Sequence, residues 1–393
     1  MLISHVQEKL EALKKLSLKR NLVPIDQRSS AYIYIKGKAL LNFGSNDYLG
    51  IGTNRRIKKA FSEGASIYGL GSGGSPLVSG YSALHQKLEE EFSCFLNRDK
   101  ALLFSSGYHA NMGVITALGD PRSIVISDKL CHASLLDGIQ LSRAQHIRYA
   151  HNNVSQAETI LQKYSASSRK IIVTEGVFSM EGDISPMREL VHLSKRHKAF
   201  LIVDDAHGIG VLGDKGQGVC DYYCLSQEQV PCLIAPLGKA FGSMGAVVSG
   251  SESLIESLKQ FAKSYKYTTA LPPAISYATL EALKIIKTET WRRDKLSFLI
   301  SCFIQEAKKR SLSTSSIAET PIKSIVIGDE KDALKLHYNL LEKGFFVPCI
   351  RPPTVPRGTA RLRVSLNCMH QVQHIKDLLD HMADFHENYK KTS

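Results

Sequence analysis

The chain has 393 residues, 43% of them apolar and 22% charged, and a formal charge of +13. That length allows two or three domains, and the balance is that of a globular chain rather than a disordered one. No run of about 18 apolar residues occurs, so neither a membrane span nor a membrane partner is expected.

The opening segment, MLISHVQEKLEALKKLSLKRN, spaces its apolar residues along one face of a charged helix. It has neither the apolar core nor the small-residue cleavage site of a secretion signal, which points to a cytosolic protein. An N-terminal helix and arm is expected over residues 1–45. Next, SNDYLG puts Asp47 and Tyr48 in a turn that would shape a site entrance or simply reverse the chain. In YGLGSGGSPLVSGY, Gly69, Gly71 and Gly74 fit G-x-G-x-x-G. A dinucleotide cradle needs a buried strand before that motif and a helix opening from its last glycine. Here no β-branched run precedes it. Pro76 and Gly80 keep the chain irregular until Ser82, which caps a helix carrying Leu84, Leu88, Phe92 and Phe95. The glycines therefore mark a loop.

Short apolar runs at 101–107, 123–128, 170–176, 199–205, 231–238 and 245–250 read as buried strands. They alternate with amphipathic stretches such as DISPMRELVHLSKRHK, which implies an α/β domain with a largely parallel sheet over 46–285. Such sheets collect functional groups beyond the C-terminal ends of their strands. SSGYHANMG follows the first run and opens a helix at Gly107 and Tyr108, whose N–H groups would face an anion. His132 follows the second run; Glu175, Ser179, Glu181 and Asp183 follow the third; Asp204, Asp205 and His207 follow the fourth. Lys239 lies in APLGKAFGSMG after the fifth. It is not a P-loop lysine, because Leu233 and Ala240 occupy the positions where that motif needs glycine and a hydroxyl. A lysine hemmed by small residues at a strand end suits a buried Schiff-base amine. Beyond about residue 285 a long charged helix, two apolar runs and a closing helix suggest a smaller α+β domain over 286–393.

Eight cysteines include no C-x-x-C pair and no zinc-ligand spacing, so no metal is expected, and reduced thiols suit the cytosol. The basic residues are spread rather than clustered with aromatic platforms, so nucleic acid is not the expected partner. His85, His109, His151, His192 and His197 read as surface or packing residues, and Asp205 as a structural carboxylate. A pyridine-ring carbonyl cofactor needs a lysine, a carboxylate for its ring nitrogen and donors for its phosphate. Lys239, Asp204 and the Gly107 helix entry supply all three.

The stretches NFGSNDYLG, GSGGSPLVSGYSALHQKLE, TEGVFSMEGD, VDDAHGIGVLG and GKAFG, in this order, resemble the α-oxoamine synthases. These are pyridoxal-phosphate enzymes with the aspartate aminotransferase type of fold, a large domain with a mostly parallel mixed sheet and a smaller C-terminal α+β domain. The likeness runs from about Arg20 to His386. Within the family, IRPPTVPRGTARLRVSL is most like the branch that serves biotin synthesis.

The resemblance implies a homodimeric acyltransferase that condenses L-alanine with a pimeloyl thioester of carrier protein or coenzyme A, with loss of CO2. It implies pyridoxal 5'-phosphate held by a Schiff base on Lys239, which later moves the α-proton of the amino acid. Asp204 would keep the ring nitrogen protonated. His207 would hydrogen-bond the phenolic oxygen, with Ser179 on the same side, and His132 would stack on the ring face and meet substrate. Gly107 and Tyr108 would bind cofactor at the helix entry. Thr269 would reach the phosphate of the neighbouring subunit, so that the active site is shared. Arg363 would pair with the amino-acid carboxylate, while Arg361, on the same strand face, would make a structural ion pair. Arg20 and Thr354 would contact the acyl substrate. Two positions depart from the family pattern. Pro236 stands where many members carry a phosphate-binding Ser or Thr, which leaves Ser243 as a substitute. Pro76 stands where several carry Arg. A relative that uses glycine and a short acyl-CoA remains an alternative, as does a non-catalytic basic protein on the same fold.

Overall fold

The computed structural model describes residues 2–165 and 167–392, and the chain divides into two compact units. One comprises 49–179 and 183–293; the other comprises 1–48, 180–182 and 294–393. The side chains of the basic stretch at 389–391 lie outside the described residues.

The first unit is built on a seven-stranded sheet. Its strands, in spatial order, are Lys100–Phe104, Ala246–Gly250, Cys232–Pro236, Phe200–Asp204, Arg169–Glu175, Ser123–Asp128 and Gln145–Tyr149. Ala246–Gly250 runs antiparallel to both of its neighbours, and the remaining pairings are parallel. Every run expected as a strand from its apolar residues is one. Burial on both faces explains why these strands read as continuous apolar runs instead of alternating. Gln145–Tyr149, with sequence QHIRY, carries no such run; it is a sheet-edge strand with most of its side chains exposed or half-buried.

The core between this sheet and its helices joins Leu102, Phe104, Val125, Val173, Ile202, Ile234 and Val248 to Val114, Ile115, Leu135 and Ile139 of helices Gly107–Leu118 and Ala133–Ser142. Each such side chain, fully buried, contributes about 1.5–3 kcal/mol. The consequence for function is positional. Six strands end along one sheet edge, and the segments that follow them carry Gly107, His132, Ser179, His207 and Lys239, with Asp204 itself ending its strand.

The second unit holds two small sheets. Gln27–Arg28, Tyr32–Ile35 and Lys38–Asn42 form an antiparallel series, and Phe345–Phe346 joins Lys38–Asn42 in parallel. Ile322–Gly328, Ala360–Ser365 and Cys349–Ile350 form an antiparallel three-stranded sheet. Helix Glu330–Glu342 is capped by Asp329, which accepts the N–H groups of Lys331 and Asp332. His370 is fully buried and stacks on Phe43 with ring centroids 4.2 Å apart. The expected N-terminal helix forms over Leu2–Lys15, but its apolar face, including Ile3, Val6 and Leu10, is exposed in the single chain. No helix among the described residues is long and apolar enough to cross a membrane.

Candidate active site

Asp204 organises the sheet edge. It ends its strand 3% exposed, directly beside Glu175 in the parallel register. Its Oδ1 accepts the N–H of Ala206 at 3.0 Å, and its Oδ2 accepts Nδ2–H of Asn111 at 2.6 Å. A carboxylate only accepts, so the amide nitrogen of Asn111 must face it. The second hydrogen of that nitrogen goes to Ser134 Oγ at 2.8 Å. Ser134 Oγ lies 2.7 Å from His132 Nδ1, which also accepts the N–H of Ser134 at 3.3 Å. Nδ1 is thus an acceptor, and the ring proton sits on Nε2. Burial lowers the pKa of His132 and Lys239 adds to this, while Asp204 opposes it. Hydrogen bonds donated outward from Asn111 therefore link Asp204 on one side to Ser134 and His132 on the other.

Asn111 has no counterpart among the sequence-derived site residues. It sits four residues after Gly107, on the first full turn of a helix already expected to face an anion, and that spacing is its signal. Its Oδ1 is buried without a partner, as is Oε1 of Glu175. Burial raises the pKa of Glu175 well above the carboxylate range, and the charge of Asp204 adds to this; Lys239 and the N–H groups of His132 and Ser179 act the other way. A proton on Glu175 spares the sheet edge a second negative charge.

Gly107 opens its helix after the cap Ser106, whose Oγ accepts the N–H of His109 at 3.1 Å. The first N–H groups of a helix have no acceptor within it and favour anions. A side chain at 107 would begin 2.9 Å from Cγ of Pro236, so the proline ring closes one wall of this entry. Tyr108 is exposed and its hydroxyl donates to Asp137. Lys239 lies half-buried in the loop between Cys232–Pro236 and Ala246–Gly250, and its carbonyl accepts the N–H of Gly242 at 2.8 Å. Gly242 has φ +60°, and a Cβ there would fall 2.2 Å from the backbone N of Gly52. Ser243, the expected substitute, is engaged by a neighbouring side chain. Its hydroxyl lies 2.6 Å from Thr279 Oγ1, which itself donates to the carbonyl of Ile275, so the Ser243 proton is taken.

His207 is 3% exposed in the loop after Asp204, and Ser179 is half-buried. Asp205 ties that loop down: its Oδ2 accepts the N–H of Val219 at 2.7 Å, and burial raises its pKa. Added Cβ atoms at Gly176, Gly208 and Gly218 would come within 2.3, 2.1 and 1.9 Å of its oxygens. His151, expected as a surface or packing residue, is instead half-buried between Asp128 and Asp183, at 3.1 and 2.8 Å. Burial works against its positive charge, but the two carboxylates outweigh it and hold its pKa at about 10.

The glycine-rich segment forms a loop with one wide helical turn at Pro76–Gly80. It is fastened to the segment around Thr269: Ser72 donates to the carbonyl of Ala270 at 2.8 Å, and the N–H of Ala270 reaches the carbonyl of Gly74 at 2.9 Å. Thr269 is exposed.

The other unit carries Arg20, Thr354 and Arg363 of the expected substrate residues. Arg20 Nη2 donates to Thr354 Oγ1 at 2.8 Å. Arg363, 5% exposed, donates from Nη1 to Ser365 Oγ at 2.7 Å and Asn46 Oδ1 at 3.1 Å, both neutral oxygens. Buried Tyr48 also accompanies Asn46, its hydroxyl donating at 3.2 Å. Burial pushes the phenol of Tyr48 up to about 12 against the pull of Arg363. Arg361, on the same strand face, pairs with Glu181 at 3.0 Å.

The family model described as aminotransferase class I and II matches residues 38–382. An 8-amino-7-oxononanoate synthase of Saccharophagus degradans is 45% identical over 97% of this chain and 96% of its own. Among solved structures, a serine palmitoyltransferase from S. paucimobilis with bound PLP-myriocin aldimine has a TM-score of 0.92 at 27% identity, covering 98% of this chain and 97% of that one. An 8-amino-7-oxononanoate synthase from Francisella tularensis has a TM-score of 0.79 at 35% identity, covering 90% and 99%.

Proposed function

Because the chain belongs to the class I and II aminotransferases, and among them to the 8-amino-7-oxononanoate synthases, we propose that it joins L-alanine to a pimeloyl thioester with release of CO2, using pyridoxal 5'-phosphate. The observation that carries the reading is the buried Asp204 carboxylate, aimed by Asn111 and Ala206 along the same sheet edge that presents Lys239. The residues fit the cofactor: an amine for its aldehyde, a carboxylate for its ring nitrogen, a helix entry for its phosphate, and an unpartnered amide oxygen on Asn111 beside them. When bound, pyridoxal phosphate supplies an electron sink for charge developing at the amino-acid α-carbon.

The chain's own groups do the rest. Lys239 holds the cofactor and then carries the α-proton on Nζ. Asp204 holds the proton at the ring nitrogen, its orientation fixed by two N–H donors. His132, its Nδ1 engaged by Ser134, would stack on the ring face and keep Nε2–H for substrate. His207 and Ser179 bond the phenolic side. Gly107 and Tyr108 offer N–H groups to the phosphate, and Pro236 adds wall rather than a hydroxyl. Arg363 receives the alanine carboxylate, a task for its planar fork. Arg20 and Thr354, already bonded to each other, take the acyl substrate.

The active form is a cytoplasmic homodimer on this reading. Leu70, Val78 and Tyr267 are 85%, 82% and 75% exposed around the exposed Thr269, an apolar surface suited to a second copy whose phosphate site Thr269 completes. Carrier protein and coenzyme A both remain donors of suitable charge for a chain of +13.

The test is product analysis with purified protein. L-Alanine and a pimeloyl thioester should give the amino ketone and CO2; turnover of glycine alone would overturn the assignment. Lys239→Ala should lose both turnover and the visible absorption of the bound cofactor, and borohydride should tag Lys239 in the parent.

A further inference from the structure

The unit containing Arg20 and Arg363 also carries an open cavity of about 640 Å³, within the usual size of small-molecule sites. Lys19 and Asn21 line it, while Arg20 between them reaches Thr354 instead. Ile35, Leu40, Leu334 and Phe346 give it an apolar floor. Lys19, Lys36 and Lys38 bring positive charge to its lining, Lys14 is paired with Glu11, and Glu342 is the carboxylate in the wall.

Arg351 stands in the wall, 9% exposed. Its Nη1 donates to the carbonyl of Ser17, and its Nε is buried with no hydrogen-bond partner. No carboxylate pairs with it among the described residues. Buried charges are normally paired, and a buried N–H is normally bonded. Among the described residues Arg351 is the one guanidinium in the cavity wall, and with no carboxylate of its own it suits an anionic ligand whose hydrocarbon can cover the apolar lining.

We propose that this cavity binds a chain-bearing organic carboxylate, its head on the Arg351 guanidinium and its hydrocarbon over Ile35, Leu40 and Phe346. Carboxylate geometry matches the guanidinium edge, and the lysines add attraction at the mouth. A bare phosphate would meet the cations but leave the floor wet. Arg351 also holds the arm through Ser17, and its carbonyl takes Arg20 Nη2 at 3.5 Å, so an occupant would brace residues 17–20.

Titration calorimetry of the holoenzyme with sodium octanoate tests this, with inorganic phosphate and 1-octanol as the head-only and tail-only probes. Octanoate should bind saturably, and each control should bind at least about tenfold more weakly. Arg351→Lys keeps the charge but removes the planar guanidinium, and should weaken octanoate about tenfold. Lys38→Glu, at an exposed position, should also weaken it while leaving the melting temperature unchanged. Heat arising at the Arg20–Thr354 pair would not respond to Lys38→Glu, so that change decides the matter even if Arg351→Lys folds poorly. The proposal falls if octanoate shows no saturable binding, if phosphate binds as tightly, or if Lys38→Glu binds octanoate like the parent.

Discussion

Asn111 is the sharpest place to press on this structure. Asn111→Ala removes one donor to a buried carboxylate and one to the Ser134 hydroxyl. A hydrogen bond to a charged group is worth about 1.5–3 kcal/mol and a neutral one about 0.5–1.5 kcal/mol, so the loss should total about 2–4.5 kcal/mol. Asn111→Asp preserves shape but sets a second carboxyl 2.6 Å from Asp204, where both cannot ionise together. The pair would keep a shared proton, with a folded-state pKa above the unfolded value. Its stability is then present at low pH and lost as pH rises through the folded value. Urea unfolding of the cofactor-free protein at mildly acidic and mildly alkaline pH measures both effects, and cofactor retention on dialysis reports whether Asp204 stays aimed. The reasoning is refuted if Asn111→Ala unfolds within about 0.5 kcal/mol of the parent, a change ordinary for inert surface sites. A pH-independent Asn111→Asp refutes it equally.

Gly107→Ala should strip cofactor on dialysis, because its Cβ would press on the Pro236 ring at 2.9 Å, and Pro236→Ser in the same chain should restore retention. Failure of that rescue would separate the ring from the helix entry. Glu89 is buried, accepts Leu103 N–H at 2.8 Å and the Tyr81 hydroxyl at 2.6 Å, and is pushed by burial from 4.5 to about 7. Its contribution is therefore full below pH 4.5 and lost as pH rises through 7, so Glu89→Gln should flatten the fall in urea midpoint across that window. His370 moves the other way: burial, with His374 adding to it, lowers it from 6.5 to about 3. Stability held above pH 6.5 is lost as pH falls toward 3, and His370→Phe should shift acid unfolding to lower pH, read by circular dichroism.

What the sequence revealed and what it withheld follow from the range of the forces involved. Buried parallel strands advertise themselves through runs such as KIIVTE and AFLIVDD, because both faces must be apolar. Ser82 was readable as a helix cap because capping is local, and the structure completes it with His85 bonding back to the Ser82 N–H at 2.9 Å. Lys239 and Asp204 stood out because strand ends collect polar groups. Asn111 did not, since its partner lies 93 residues away and an asparagine on a helix is unremarkable until the sheet is assembled. Gln145–Tyr149 stayed hidden because an edge strand need not be apolar. The Arg351 cavity is likewise a product of tertiary assembly, drawing on the N-terminal arm, the Tyr32–Asn42 hairpin and the Glu330–Glu342 helix.

The three hydrogen-only positions pressed around Asp205 have a consequence for any redesign of this loop. Gly176, Gly208 and Gly218 each leave space that the carboxylate occupies, and Val219 anchors the same group from the backbone side. Enlarging any one of them displaces Asp205, and with it the turn that carries His207 away from Asp204. These positions form one mechanical part supplied by separate stretches of chain, to be exchanged together or left alone.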